Sequence, residues 1–422
     1  MKKIVLLFLI GCLFNCSNDD KPISTSQLNL TEHVEVYKED LLENSLVLAV
    51  ENASNTSYLL NKQGQRVYQW DFDTNLGNDL ELLPDGRLLG MFKVFSPEID
   101  FGGGGGTIKI LSPNSGVEWQ YTYHSENYIA HHDVEMLPNG NVLFMVWERI
   151  SGLIAQSNGF NGTGDIFPEA LIEVNPTTNQ IVWQWRSFDH IIQDIDANKP
   201  NYGTINEHPS LIDINYNSAI NNGDIMHGNG IDYDEDKDVI YLSINFYSEI
   251  WVIDHSTTTA EAASDTGGNY NKGGNLLYRF GNPEAYNTIG NRLFYNNHFP
   301  NLIEKEVPGK GNMLVFVNKD NGLEQSAVYE LDLPESFSLS PNTNNEPNIV
   351  WEFTDPAMYS RIISGAVRLK NGNTLICDGA YGFWEITPDG LIAWKYNSMN
   401  TNMWRGYNYY LNDTELSGLE LP

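Results

Sequence analysis

The stretch "NPTTNQIVWQW", residues 175–185, joins a polar turn to a strand whose Trp183 and Trp185 are two positions apart. Alternation along a strand puts both rings on one face, so the stretch predicts a half-buried β-strand entered through a turn. The same arrangement recurs as "NKQGQRVYQWDF" (61–72), "SPNSGVEWQY" (112–121), "KGGNLLYRF" (272–280), "EPNIVWEF" (346–353) and "TPDGLIAWKY" (387–396). The corresponding pairs are Trp70/Phe72, Trp119/Tyr121, Tyr278/Phe280, Trp351/Phe353 and Trp394/Tyr396. Most repeats carry a second signature upstream, an apolar run on each side of a turn: "LLPDGRLLGMF" (82–92), "MLPNGNVLFMVW" (136–147), "DYDEDKDVIYLSI" (232–244), "VPGKGNMLVFV" (307–317) and "RLKNGNTLICDG" (368–379). Each is a hairpin signal.

Two hairpins per unit at a spacing of roughly 40–50 residues are the pattern of propeller blades. Residues 45–422 are therefore expected to form one all-β, six-bladed β-propeller with four antiparallel strands per blade. The first unit starts abruptly and the last lacks a following hairpin, so the two ends are expected to share the closing blade. The acidic run in "DYDEDKD" falls where other repeats have a turn and reads as a polar hairpin turn rather than a calcium loop. "FGGGGG" (101–106) lacks the lysine and helix of a phosphate loop and reads as a flexible rim loop.

Acidic residues outnumber basic ones by 55 to 24, a formal charge of −31. Such a surface repels a phosphate backbone, which argues against nucleic acid as a partner. An anion could bind only where a few donors overcome that field locally. The first 16 residues, a basic start followed by an apolar run, have the shape of an export signal. In them "LFNC" resembles a lipobox, with Cys16 as the lipidated residue and a lipid anchor as the only membrane contact. Residues 17–44 read as a tether and lead-in. With Cys16 processed, Cys377 stands alone and an intramolecular disulfide is excluded. The expected location is the periplasm or cell surface, and the oligomeric state is not legible.

Aligned on their turns, "GNDLELLPDG", "HHDVEMLPNG" and "ISGAVRLKNG" match without gaps, giving Asn78, His132 and Ser364 one equivalent position. "HGNGIDYDED" brings Asn229 and the neighbouring His227 to that position, and "NNHFPNLI" brings His298. It begins the first strand of each unit, the strand that lines the channel of a propeller. A recurring polar residue there points to a binding or reaction site. Three histidines could also hold zinc, although no tight ligand motif is present, and no metal or other cofactor is expected.

The segments "HHDVEMLPNGNVLF", "MHGNGIDYDEDKDVIYLS", "NNHFPNLI" and "ISGAVRLKNGNTLICDG" together resemble the bacterial arylsulfotransferases. The resemblance implies a six-bladed propeller that moves a sulfuryl group from an aryl sulfate to a phenol without a nucleotide donor. It further implies a transiently sulfated nucleophile matching His298, with His132 and His227 as acid, base and oxyanion partners. Asn229, Ser364 and Asn78 would bind the sulfate, with His131 supporting His132. Where the family often carries an Arg, "LSINFYSEIW" offers Asn245, which can donate a hydrogen bond but no fixed charge. Arg361 or Arg405 would have to compensate. The competing expectation is a non-catalytic propeller that binds a glycan, a phenolic compound or a small anion in the channel.

Overall fold

The computed structural model describes residues 29–422. The expected export signal, Cys16 and the start of the tether lie outside the described residues. Among the described residues regular secondary structure is almost all β-strand, with two short α-helices at Gly152–Ser157 and Thr259–Ala262. Among the described residues no helix is long and apolar enough to cross a membrane.

Each repeat folds as an antiparallel meander, because its alternating apolar residues can be buried only when consecutive hairpins lie side by side. Three meanders are independent four-stranded sheets: Gly228–Asp234 through Tyr278–Phe280, Asn297–Leu302 through Asn348–Thr354, and Met403–Tyr410 with Ser45–Glu51, Thr56–Leu60 and Arg66–Asp71. A fourth runs from Gly365–Arg368 to Ile392–Asn397 and gains a fifth strand, Val34–Tyr37, from the lead-in. The eight strands between Leu76 and Arg186 form one continuous sheet. The expectation of six separate blades is corrected here: four blade-sized sheets stand alone, and the second and third repeats merge. Their union is a single parallel bridge between Asn78 and His132, where left-handed backbone (φ 123° and 54°) bends both innermost strands toward each other.

The first strands of successive repeats touch one another in a closed cycle: Leu76–Leu82, Tyr128–Met136, Gly228–Asp234, Asn297–Leu302, Gly365–Arg368 and Met403–Tyr410. The last of these pairs antiparallel with Ser45–Glu51, so the end of the chain supplies the inner strand of the sheet that its beginning starts.

The aromatic repeat explains the outer part of the ring. Each pair lies on or just beyond a meander's final repeat strand, and one ring of each pair reaches a turn or loop of the next meander. Trp70 Nε1 donates to the Pro113 carbonyl at 2.9 Å, Trp119 Nε1 to Asn179 Oδ1 at 2.7 Å, and Trp183 Nε1 to Thr257 Oγ1 at 3.1 Å. The Tyr278 hydroxyl donates to the Asn345 carbonyl, Trp351 Nε1 to Pro388 at 3.0 Å, and Trp394 Nε1 to the Lys62 carbonyl at 2.8 Å, which returns to the first sheet. Trp70 and Trp394 are fully buried. Burying a ring of roughly 200 Å² is worth on the order of 5 kcal/mol, and the hydrogen bond fixes which neighbour it is buried against.

Candidate active site

Every inner strand that carries a candidate residue is distorted at that residue. Asn78, His132, His227, Phe299, Ile363 and Ser364 all have positive φ, and the pairing register slips beside Asn78, His132, Asn229 and Phe299. Such bulges re-aim side chains that regular alternation would point apart, and strain of this kind persists where the surroundings enforce it. His131 and His132 illustrate the effect. The pair is expected from alternation to diverge, yet the left-handed turn at His132 brings Nδ1 of one ring within 2.8 Å of Nδ1 of the other.

Three histidines gather at one end of the channel. The rings of His132 and His227 lie 5.0 Å apart, and Trp404 sits 5.8 Å from His132 and 6.4 Å from His298. Each is anchored through Nδ1. His132 meets His131, His227 donates to Asp224 Oδ2 at 2.5 Å, and His298 contacts Asn318 Oδ1 at 2.5 Å. The Asn318 amide is fixed in turn, because its Nδ2 donates to the carbonyls of Ser360 (2.8 Å) and Ile363 (3.0 Å). Its oxygen must therefore face His298, so His298 Nδ1 carries the hydrogen and Nε2 keeps its lone pair. The Ile363 N–H points at that lone pair from 3.2 Å, delivered by a left-handed backbone that a β-branched residue rarely adopts.

The environments divide the three rings by charge. Burial pushes the His298 pKa down to about 3, assisted by His227 and Arg405 against the Asn318 hydrogen bond. Burial, then His227, His131 and His298, hold His132 well below the ordinary value. His227 goes the other way: burial opposes its protonation, but the hydrogen bond and charge of Asp224, with Glu169, raise it overall. One imidazolium-prone ring thus faces two neutral ones, the pattern that separates acid from base and nucleophile. His227 is also the most open of the three, with 18% of its side chain exposed, and it stacks on Phe246 at 4.7 Å.

The other expected substrate contacts are held by protein partners to different degrees. Asn229 is buried with its amide spent on the Asn297 carbonyl (2.8 Å) and the Ser243 hydroxyl (2.7 Å), so it ties neighbouring sheets. Asn245 is similarly committed to the Asn297 carbonyl and the Asn296 amide. His131 has no exposed surface and stacks on Trp147 at 3.7 Å, which makes it a support rather than a contact. Asn78 is buried at the bridge that joins the two meanders. Ser364 Oγ accepts from Gly379 N at 3.0 Å, leaving its hydroxyl hydrogen uncommitted. Arg361 is exposed on the segment leading to Ile363 and forms no ion pair among the described residues. Arg405 cannot compensate for the missing family Arg. Its Nη1 and Nη2 grip Asp133 at 2.9 and 2.8 Å, and Nη1 also reaches Asp79 at 3.2 Å.

The glycine run is likewise part of the site rather than a loose rim. Gly105 N donates to the Ala130 carbonyl, His132 N donates to the Gly103 carbonyl, and Gly104 bridges His131. A Cβ on Gly103, whose φ is 91°, would lie 2.1 Å from the His132 ring. Gly103→Ala is expected to displace that ring and lower turnover by roughly 10²-fold, the cost of misplacing a reacting group by about 1 Å. Steady-state kinetics beside a thermal melt would check that the loss exceeds any loss of folded protein. Sequence reasoning also missed Asp224, Asn318, Glu169 and Trp404. Only Asp224, three residues before His227, carried a local signal.

A cavity of about 480 Å³ opens on the other side of Arg405, lined by Asp79, Glu81, Asp133, Glu135 and Asp232 among others, and none of the three histidines borders it. Among the described residues no group of three or more His, Cys, Asp or Glu is placed to hold a metal ion.

A propeller-like ring of antiparallel sheets with a histidine cluster at its axis, differentiated by charge, has the makings of a group-transfer site. The Arylsulfotransferase (ASST) family profile matches residues 31–402, nearly the whole chain, and the protein belongs to that family, whose members are aryl sulfotransferases acting on aryl sulfates and phenols. No curated protein sequence matches the chain. Among solved structures, it is similar to a luciferin-regenerating enzyme (12% identity, 90% of this chain and 96% of the other, TM-score 0.36). It is also similar to Raptor of Chaetomium thermophilum (9%, 84% and 24%, TM-score 0.44) and to a nidogen/laminin complex (7%, 86% and 98%, TM-score 0.43).

Proposed function

We propose that the protein is an exported, nucleotide-independent aryl-sulfate sulfotransferase, anchored at the cell surface or in the periplasm through Cys16, that works through a sulfohistidine at His298. The observation that carries the reaction is the amide-fixed tautomer of His298: Asn318 holds the Nδ1 hydrogen, and the Nε2 lone pair is left in a neutral ring. A neutral imidazole is a competent nucleophile near neutral pH.

In the first half-reaction His298 Nε2 exchanges the Ile363 N–H for sulfur: the N–S bond forms, the S–O bond to the aryl group breaks, and the electron pair leaves on the phenolate oxygen. His227, held protonated by Asp224, gives that oxygen its proton and supplies the positive charge that the family Arg provides elsewhere. Ser364 and Arg361 are free to donate to the sulfate oxygens. In the second half-reaction an acceptor phenol gives its proton to His132 and its oxygen attacks sulfur, and the S–N pair returns to Nε2. His227 is the most exposed of the three rings, so the donor enters from the His227 side.

Purified protein incubated with a chromogenic phenyl sulfate and a phenol is expected to move the sulfuryl group. No transfer across a broad donor panel would overturn this reading in favour of a binding propeller, for which the commitment of Asn245 and Arg405 to protein contacts is the supporting observation. The acid role of His227 also fixes a pH dependence. His227 is protonated below its raised pKa, so turnover falls as pH rises through that value, while the depressed His132 and His298 keep the acid limb far lower. His227→Gln is expected to abolish the alkaline limb, read from a pH–rate profile with an unactivated phenyl sulfate.

A further inference from the structure

Glu169 lies 38 residues from His131 in the chain and joins it in a chain of buried polar contacts that ends at His132. Both residues are fully buried. One carboxylate oxygen, Oε1, accepts from Trp147 Nε1 at 3.0 Å and Gly228 N at 2.6 Å, both groups that can only donate. The other, Oε2, lies 2.9 Å from His131 Nε2. A carboxylate has no hydrogen to give, so His131 Nε2 must donate. In a neutral His131 the lone pair is then on Nδ1, which faces His132 Nδ1 at 2.8 Å. His132 Nδ1 must donate in its turn, and the lone pair of His132 is forced onto Nε2.

We propose that Glu169 and His131 are positioning residues that form a proton relay and make His132 the general base. This rests on the sulfotransferase reading for the identity of the proton donor but not for the tautomer. When the acceptor phenol transfers its proton to His132 Nε2, the Nδ1 proton of His132 passes to His131 Nδ1. The positive charge then rests on His131, beside the Glu169 carboxylate, and no atom is gained or lost. The stacked Trp147 ring, at 3.7 Å and 7° from parallel, holds the His131 plane in line with both partners. His227 has by then given its proton to the first phenol, so the proton that entered through His132 passes on to His227, whose ring lies 5.0 Å from that of His132, and the starting state is restored.

Glu169→Gln gives a sharp test. The amide oxygen can keep the Trp147 and Gly228 bonds, but its NH₂ must donate to His131 Nε2. That reverses every bond in the chain and puts a hydrogen on His132 Nε2. In ¹⁵N-histidine spectra, the wild-type protein is expected to have His132 protonated at Nδ1 and bare at Nε2, with the assignment inverted in the variant. Transfer to an unactivated phenol is expected to fall by roughly 10²–10⁴-fold, the range for losing a general base or its correct tautomer. Transfer to an acidic nitrophenol, already ionised, should fall far less.

A wild-type His132 protonated at Nε2 would overturn the relay even if the variant failed to fold. So would an equal loss for both acceptors. If the tautomer is as expected but wild-type protein transfers no sulfuryl group, the sulfotransferase reading fails while the relay geometry stands.

Discussion

His298→Ala is expected to reduce sulfuryl transfer by roughly 10³–10⁶-fold, the range seen when a covalent nucleophile is removed. The substitution deletes the only ring whose Nε2 lone pair is fixed by a locked amide partner, and His132 and His227 cannot take over. In the proposed reaction His132 is used as the base that takes the acceptor's proton, and His227 is tied through Nδ1 to Asp224, which raises its pKa. Stability should change little relative to activity, because Asn318 keeps its two backbone partners. The check is a single-turnover assay beside intact-mass analysis without acceptor. Wild-type protein should gain one sulfuryl group that maps to His298, and the variant should gain none. Undiminished transfer by the variant would remove His298 from the mechanism.

Arg405→Met should produce the largest loss of stability, roughly 3–5 kcal/mol, as expected when one partner of a buried ion pair is removed. Asp79 and Asp133 would be left facing each other at 2% exposure with no cation between them. The destabilisation is read from denaturant midpoints. Adding Asp79→Asn and Asp133→Asn should recover much of it, which lost packing alone would not allow.

The same layer makes stability depend on pH. Burial, with repulsion from neighbouring carboxylates, raises Asp79 to about 7 and Glu81 to about 8, and burial with Asp133 and Asp234 raises Asp232 to about 8. The folded state therefore holds protons that the unfolded chain has released above about pH 4. Their contribution is complete below about pH 4, declines as pH rises above it, and is fully lost once pH has passed the folded values of about 7 to 8. Denaturation midpoints should fall from about pH 4 to about 8 and level off above.

The sequence carried the strands and their inward positions well, because alternation and turn chemistry are local. The six aromatic pairs marked the outer edges, and the turn alignment brought His132, His227 and His298 to one level of the channel. What it could not carry depends on left-handed backbone and distant partners. Nothing in "HHDV" says that His132 turns left-handed, so alternation wrongly separated it from His131 and hid the bridge to Asn78 that merges two sheets. Asn229 and Asn245 look like channel donors by position, yet their amides meet Asn297, a partner more than fifty residues away. The glycine run looked loose because flexibility is what glycine usually signals; here the missing side chains make room for a ring.

Trp404 and Arg405, which stand beside the histidines and bind the carboxylate layer behind them, belong to the strand that closes the ring against Ser45–Glu51. A ribosome that has reached residue 402 has made every histidine of the site but no site. Trp404 and Arg405 reach the histidines only when Met403–Tyr410 pairs with Ser45–Glu51, so a chain that has not closed its ring carries the residues of the site without their arrangement.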